Sequence, residues 1–248
     1  MQRYFFSPKQ IDGNEIIIQG DDVHHIKNVM RFQPGDTILL CDGAGFDYLA
    51  EIVQIQKEGV ICSIKRKTPS RGEPRLQITV AQSLPKGDKM DWVLQKGTEL
   101  GVTSFFPFSS QHTIVQLSPN KAERRLQRWQ RIVKEAAEQS HRGRIPSVAP
   151  LRGWQELLSE VPQFDQCFIA YEGGGTSLTE ALVSLSSYSS VLIIIGPEGG
   201  FSAAEIEEAK EAGAIPLSLG PRILRTETAS LVLVTCMLYV SGDMEVKE

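Results

Sequence analysis

The chain has 248 residues, which is enough for one large domain or two of ordinary size. Hydrophobic residues make up 41% of it and charged residues 23%, a composition that fits a soluble globular protein. The formal net charge is −4, so a nucleic-acid partner would have to be met by a local basic patch and not by a basic average.

The four cysteines are scattered, with neither a CxxC pair nor a cysteine–histidine cluster at zinc spacing. We therefore expect reduced, structural thiols and no metal site. The start, MQRYFFSPKQ, has no signal-peptide pattern. The longest apolar runs, 191–195 and 231–240, are too short to cross a bilayer. These features predict a cytoplasmic protein with no membrane partner.

The first 70 residues contain short runs rich in β-branched and aromatic residues, separated by Gly and Asp turns. The runs are 15–19, 37–41, 48–56 and 60–65, with one helical turn at 21–30. This pattern predicts a small β-barrel. The basic, Pro-bearing stretch 65–75 predicts a linker, so the predicted domains are 1–70 and 71–248.

From about residue 76 onward, apolar strand-like runs alternate with helical patterns, which predicts an α/β fold with a parallel sheet. The predicted strands are 76–84, 167–172, 191–196 and 215–220. The predicted helices include 88–100, 202–212 and 226–240, and a longer helix with one apolar face from Ser118 to about Gln139.

A glycine-rich turn at 196–200 follows a buried strand and leads into a helix capped by Ser202 and Glu205. Glycines let the backbone approach a ligand closely, and ligands in open α/β sheets bind beyond the carboxyl ends of strands. The turn matches neither GxGxxG nor a Walker A loop. A binding loop and a plain strand–turn–helix connection are both compatible with it.

A second strand ends near Gly220 and is followed by Arg222, Arg225 and Glu227, just before a very apolar helix. Charges at such a place are costly unless they are paired or face a ligand or partner. Two interpretations stay open here. The charges either form a ligand site or form a structural Arg225–Glu227 network that closes the helix start.

Positive charge concentrates between residues 121 and 144, where eight Lys and Arg residues stand against three Glu residues, a local charge of +5. Such a run is usually a solvated helix face, but the clustering and the tail EQSHRGRIP favour a surface that faces RNA. A second basic group lies near the N-terminus, around Arg3 and the segment HHIKNVMRF. There His25 has the helical spacing of a packed residue, so it is either a contact or part of the core.

Two segments, GPEGGFS (196–202) and LGPRILRTETA (219–229), resemble the paired knot loops of SPOUT-class methyltransferases. With EAAEQSHRGRIP, KGTELGV and RYFF…HHIKNVMR, they resemble the bacterial 16S ribosomal RNA uridine-N3 methyltransferase family over essentially the whole chain. The resemblance implies a PUA-like β-barrel followed by a SPOUT parallel sheet with a C-terminal trefoil knot. Periodicity would not suggest a knot, because true knots are almost absent from proteins.

The resemblance also implies a homodimer that uses S-adenosylmethionine to make 3-methyluridine in the decoding region of 16S rRNA, as part of maturation of the 30S subunit. It places the cofactor on Tyr171, Glu172, Gly196, Pro197, Glu198, Gly199, Gly200, Leu217, Leu219, Gly220, Leu224, Arg225, Thr226 and Ala229. From the two basic clusters we predict RNA contacts at Arg3, His25, Arg31, Arg124, Arg128, Gln139, Ser140 and Arg142. Where the family often has Ser-Gly-Arg, this chain has His141 in the middle position.

The chemistry predicts some of the roles. Uridine N3 carries a proton and is a poor nucleophile until that proton leaves, so the site needs a base or a positive group that favours the N3 anion. We predict Arg225 as the stabiliser. Glu198 or Glu227 would accept the proton or hold Arg225. Arg142, from the partner subunit, would grip a phosphate near the target.

Three alternatives remain at this stage. A nucleotide-dependent oxidoreductase needs an early glycine fingerprint with an acidic residue about 20 positions on, and the spacing here fails. A non-enzymatic RNA-binding or ribosome-assembly factor would bind RNA without transferring a methyl group. A related SPOUT enzyme would act on tRNA or on a different rRNA base.

Overall fold

The computed structural model describes residues 1–183 and 185–245. By residue contacts the chain divides into two compact units. One unit is Met1–Glu73 with Ala137–Ile145, and the other is Pro74–Ala136 with Pro146–Glu248. The sequence did not indicate that a segment beyond residue 136 groups with the N-terminal unit.

The N-terminal unit is built on one six-stranded mixed sheet, which confirms the predicted small β domain. The strand order is β1-β4-β5-β6-β3-β2, parallel between β1 and β4 and antiparallel elsewhere. Alternate residues such as Ile16, Ile18, Ile38 and Leu40 fill its core. The strands are β1 (Arg3–Phe5), β2 (Ile11–Asp12), β3 (Glu15–Ile18), β4 (Thr37–Cys41), β5 (Phe46–Ile55) and β6 (Val60–Pro69).

Two local predictions for this unit need adjustment. The helical turn is a short α1 (Asp21–His24) that continues as a π-helical turn over His25–Val29. The predicted linker is wrong in its first half, because β6 stays paired with β5 as far as Pro69. The pairing of backbone groups thus overrides the basic, proline-bearing composition of this stretch.

The second unit contains a seven-stranded sheet in which every pair is parallel, as the strand–helix alternation predicted. The order is β11-β13-β10-β12-β7-β8-β9. The strands are β7 (Gln77–Ser83), β8 (Ser104–Phe108), β9 (Ser147–Val148), β10 (Gln166–Ala170), β11 (Thr176–Ser177), β12 (Ser190–Ile195) and β13 (Ala214–Ser218). The central β12 is apolar without alternation because residues on both of its faces are buried.

Helices cover this sheet with their apolar faces. They are α2 (Lys89–Leu100), α3 (Pro119–Gln139), α4 (Trp154–Leu158), α5 (Leu178–Val183), α6 (Ala203–Glu211) and α7 (Thr226–Val240). Ser202 and Glu205 form the predicted capping box of α6. The most apolar helix, α7, buries Leu233, Val234 and Met237 in the main core. The trefoil knot stays a prediction.

Two further features bear on the sequence predictions. The four cysteines are all free, and burial raises the pKa of the Cys62 thiol to about 12, so this thiol is unreactive. Among the described residues, none of the helices combines the length and the apolarity needed to span a membrane.

Candidate functional site

Three loops leave the parallel sheet at one edge. Strand β10 lies between β12 and β13, and all three are parallel, so the segments that follow them emerge together. A cavity of about 520 Å³ lies there, a typical volume for a small-molecule site. Twelve of the fourteen predicted cofactor residues line it: Tyr171, Glu172, Gly196, Pro197, Glu198, Gly200, Leu219, Gly220, Leu224, Arg225, Thr226 and Ala229.

Two predicted cofactor residues do not line the cavity. Leu217 is fully buried in β13, where it belongs to the core. Gly199 packs against another loop, since a Cβ at this position would lie 3.1 Å from the Cβ of His112. Leu217 thus packs in the core beneath the cavity, and Gly199 lets its loop lie close to the segment that contains His112. Cofactor contact by these two residues, as by the other twelve, stays a prediction.

A chain of hydrogen bonds connects the two glycine loops. The Thr226 hydroxyl donates to the carbonyl oxygen of Gly196 at 2.6 Å, and it accepts from Nε2 of Gln82 at 2.8 Å. Gln82 and Thr226 are both buried. In the low dielectric of the protein interior such hydrogen bonds are strong, and leaving one of these buried polar groups without a partner would destabilise the fold. The network therefore fixes the ends of β7 and β12 against the start of α7.

The loop 196–202 has support on its other side as well. Gly200 has a φ of +66°, a conformation that favours glycine, and a Cβ here would lie 2.7 Å from Oε1 of Glu172, so a side chain would also make that carboxylate shift. Nδ1 of His112 is 3.1 Å from the Gly199 carbonyl oxygen, and a carbonyl can only accept, so Nδ1 donates. The buried Glu205 accepts from the backbone N–H of Gln111 at 2.8 Å. The loop is thus held in place before any ligand binds.

Acidic residues at the rim of the cavity pair with a lysine that the sequence analysis did not identify. Lys89 Nζ lies 2.8 Å from Oε1 of Glu198 and 3.6 Å from Oε2 of Glu227. Burial, the largest single influence, raises the pKa of Glu198, but hydrogen bonds from Lys89 and from backbone amides outweigh it and leave that pKa below its ordinary value. Glu198 is therefore a poor proton acceptor.

Arg225 lies at the first turn of α7 with an exposed side chain and lines the cavity. In the described part of the chain its guanidinium has no hydrogen-bonding or ion-pair partner, and Glu227 pairs with Lys89 instead. The alternative of a structural Arg225–Glu227 network is therefore wrong. An unpaired guanidinium beside a cavity is available to a ligand that carries negative charge.

Several lining residues were absent from the predicted cofactor contacts. They are Ala170, Ile195, Phe201, Ser218, Pro221, Arg222 and Ile223. Gln82 and Lys89 were not predicted either. Gln82 lies near the carboxyl end of β7, which neighbours β12 in the sheet, and Lys89 begins the helix that follows β7. The rule that ligands bind at this edge would have drawn attention to them.

The structure places Arg3 and Arg142, both predicted RNA contacts, in buried ion pairs. The Arg3 guanidinium donates to both carboxylate oxygens of Asp47, at 3.0 and 2.6 Å. Arg142 donates from Nε and Nη2 to Glu73, at 3.2 and 2.7 Å. Both side chains are 3% exposed, so neither guanidinium can reach a phosphate in this arrangement. Their geometry is structural, and their contact with RNA stays untested.

Near the N-terminus, His25 is partly buried and its Nδ1 hydrogen-bonds to the Tyr4 hydroxyl at 2.9 Å. Burial, with the nearby Asp22 and Glu138 carboxylates, raises the pKa of Tyr4, so its hydroxyl keeps its proton and can donate. This arrangement favours the packed-residue interpretation of His25. Arg31 is exposed with a φ of +55° and remains a candidate RNA contact.

On α3, Arg124 and Arg128 are exposed as predicted for a surface helix. Arg128 forms an ion pair with Asp91, so part of its charge is already compensated. Gln139 is exposed and Ser140 is partly buried at the end of this helix. These four residues are not among the described residues that line the cavity, and their RNA contacts remain predictions.

Comparison with known proteins agrees with this architecture. Residues 72–238 match the family described as RNA methyltransferase domain, and residues 18–65 match the RNA methyltransferase PUA domain. The chain is 42% identical over 247 residues to the ribosomal RNA small subunit methyltransferase E of Bacillus subtilis, covering 96% of each chain. It is 32% identical to the protein of the same name from Synechocystis, covering 93% of this chain and 75% of the relative.

A solved structure is similar over the same length. The Neisseria gonorrhoeae ribosomal RNA small subunit methyltransferase E, bound to S-adenosyl methionine, superposes with a TM-score of 0.89 at 35% identity. The match covers 99% of this chain and 100% of that chain. On the fold, the family match and the extent of identity, the chain belongs to the ribosomal RNA small subunit methyltransferase E family of RNA methyltransferases.

Proposed function

We propose that the protein transfers a methyl group from S-adenosylmethionine to N3 of a uridine in the decoding region of 16S rRNA, in the cytoplasm, during maturation of the 30S subunit. The observation that carries the proposal is the cavity bounded by both glycine loops. The relative from Neisseria gonorrhoeae, 35% identical, is bound to S-adenosyl methionine. Uridine N3 as the acceptor rests on the resemblance of the two loop motifs.

The residues of the cavity fit a nucleoside with a charged tail. Ile195, Leu219, Leu224 and Ala229 offer an apolar surface for a flat ring. Gly200, with a φ of +66°, lets the loop turn at the wall of the cavity and places no side chain there. When bound, S-adenosylmethionine supplies an activated methyl group, and the protein supplies orientation and electrostatics.

Arg225 is the proposed stabiliser of the reaction. Methyl transfer forms an N3–CH3 bond while the sulfonium–CH3 bond breaks, and the N3 proton must leave. A guanidinium close to the uracil carbonyls favours the N3 anion and therefore lowers the cost of losing this proton. Glu198 is ion-paired with Lys89 and its pKa is lowered, so we assign it to holding the loop, with the proton passing to solvent or to Glu227.

The target base must leave its stack to enter such a cavity, as in other enzymes that modify bases. The basic side chains of α3 would meet the RNA backbone around it.

We also propose a homodimer. The end of α7 supports this proposal, since Tyr239 is 74% exposed and Val240 is 48% exposed, an apolar pair that a second copy would cover. Sedimentation velocity would measure the mass directly.

The test of function is mass spectrometry of rRNA from cells that lack the protein and from the same cells after its return. We expect 3-methyluridine to disappear from 16S rRNA and to reappear. Transfer of labelled methyl groups to unmodified 30S particles and to naked 16S rRNA would then identify the substrate form. RNA binding without any transfer would instead identify a ribosome-assembly factor.

A further inference from the structure

The N-terminal unit contains a second concave site, with a volume of about 700 Å³. Its lining includes Arg3, Asp47, Arg66, Thr68, Arg71 and His141. We propose that this pocket, termed the basic pocket, binds a phosphodiester group of the RNA backbone through Arg66, Arg71 and His141. The proposal rests on the proposed RNA substrate and assigns contacts to Arg66 and Arg71, which lie outside the predicted RNA surface, and to His141.

A β-bulge turns Arg66 toward the basic pocket. Leu49 pairs with Arg66 but the next residue of β5, Ala50, pairs with Ile64, so Lys65 is the extra residue on β6. In an unbroken strand Arg66 would share the core-facing side of Ile64, two positions earlier. The extra residue reverses the alternation, and bulges of this kind commonly re-aim side chains at functional sites.

The bulge at Lys65 also brings the polar residues of the pocket onto one face of the sheet. Thr68 pairs with Asp47 and lies two residues beyond Arg66, so these three residues share one face of the sheet. Asp47 is fully occupied, because it accepts from the Arg3 guanidinium and from the Ser70 hydroxyl at 2.6 Å. Arg3 thus cancels the only acid in the lining.

What remains is a net positive charge. Arg66 and Arg71 are exposed, and neither has an ion-pair partner among the residues that the structure describes. They give the pocket a charge of about +2, which in a concave site concentrates positive potential. An arginine fork matches the oxygen pairs of a phosphate. Among the described residues, the lining contains no Phe, Tyr or Trp on which a base could stack, so the backbone phosphate is the better fit.

His141 would add a third hydrogen-bond donor to the phosphate, but its backbone conformation is strained. Its φ is +60°, a conformation that costs a side-chain-bearing residue stability and that glycine adopts freely. The side chain is exposed and lines the basic pocket. Keeping an imidazole in this strained position is understandable if the ring contacts a ligand.

The test compares Arg66→Gln/Arg71→Gln with a matched control, Lys9→Gln/Lys57→Gln, which removes two exposed charges from the same unit outside the pocket. Binding to a 16S rRNA transcript is measured across a series of salt concentrations. We expect the pocket variant to bind at least about tenfold more weakly at low salt, with a salt slope reduced by about 1, the effect of one lost phosphate contact. At saturating RNA, its kcat and its affinity for S-adenosylmethionine should match the wild type.

A second variant separates binding from folding. His141→Gly removes the strain, so it should unfold at the same urea concentration as the wild type or a higher one while losing RNA affinity. If both pocket variants bind RNA with the affinity and salt slope of the control, the pocket proposal is wrong. If the wild-type protein neither binds nor methylates the transcript or 30S particles, the proposed function fails instead.

Discussion

The hydroxyl of Thr226 lies 2.6 Å from the carbonyl oxygen of Gly196, thirty residues earlier in the chain. Because the same hydroxyl accepts from Gln82, one side chain joins the first turn of α7 to the ends of β7 and β12. The spacing of the two loops that line the cavity therefore depends on a short chain of buried hydrogen bonds.

Replacing Thr226 by Val keeps the shape and removes the hydroxyl. The Gly196 carbonyl then loses the hydroxyl that donates to it and Gln82 loses an acceptor, so we expect the free energy of unfolding to fall by about 1–3 kcal/mol. A loss of about 1.4 kcal/mol in loop positioning would weaken S-adenosylmethionine binding about tenfold. Urea unfolding and titration calorimetry measure the two effects. The exposed Thr228, on the same helix, provides the control substitution Thr228→Val. Equal cofactor affinity in both variants would contradict the argument.

Removing the Arg225 guanidinium should affect chemistry and leave folding alone. Its side chain is exposed and has no partner in the described residues, so Arg225→Ala should unfold like the wild type. We expect kcat for methyl transfer to fall about 100- to 1000-fold, the usual effect of losing one electrostatic stabiliser. Arg222→Ala, also exposed beside the cavity, is the control. Turnover near the wild-type rate in Arg225→Ala would exclude it as the stabiliser.

Much of the architecture could be predicted because hydrophobic periodicity determines which elements can be buried. The apolar β12 and the amphipathic α3 were both clear on this basis. Strand β8 was missed since Pro107 interrupts its pattern, yet the structure pairs it in parallel with β7. Strand β6 was cut short because its basic end has the composition of a linker.

The two glycine loops that bound the cavity were predicted from the sequence, but the residues that hold them in place were not. Lys89 and Gln82 come from a third segment of sequence, and only the order of the strands brings them to the same edge. For Arg142 the sequence indicated an exposed residue, and the structure buries it. Its basic neighbourhood indicates a surface, whereas its own side chain is buried against Glu73. A sequence pattern gives the charge of a segment and not the direction of each side chain.

The ion pair of Glu198 with Lys89 should show a defined pH dependence. The pKa of Glu198 is lowered from 4.5, so its contribution is present above that value and is lost as pH falls through the folded-state pKa. The pKa of Lys89 is raised from 10.5 by its hydrogen bond to Glu198, so its contribution is present below that value and is lost as pH rises further. The pair therefore stabilises the loop across the neutral range.

Comparing the wild type with Glu198→Gln tests this dependence. The difference in free energy of unfolding should be at most about 1 kcal/mol at pH 7, since the pair is partly exposed, and should shrink toward pH 3. Urea titrations at pH 7, 5 and 3 measure it. Glu211→Gln, an exposed residue at the end of α6, is the control. A difference that stays constant down to pH 3 would show that the carboxylate charge is not what matters.

Arg142 provides the sharpest contrast between a structural and an RNA-binding role. Its guanidinium is buried against Glu73, and its carbonyl oxygen accepts from Arg3 at 2.7 Å. Removing one partner of a buried ion pair leaves the other uncompensated, so Arg142→Ala should lower the free energy of unfolding by about 3 kcal/mol. The neighbouring, exposed Arg144→Ala should change it little.

Binding measured on the folded variant then separates the roles. At a temperature where Arg142→Ala remains folded, we expect its affinity for 16S rRNA and its salt slope to match those of the wild type, because a buried guanidinium makes no phosphate contact. A slope lower by about 1, with folding intact, would instead assign Arg142 to one phosphate. That result would require the pair with Glu73 to open when RNA binds, because the guanidinium is buried against Glu73.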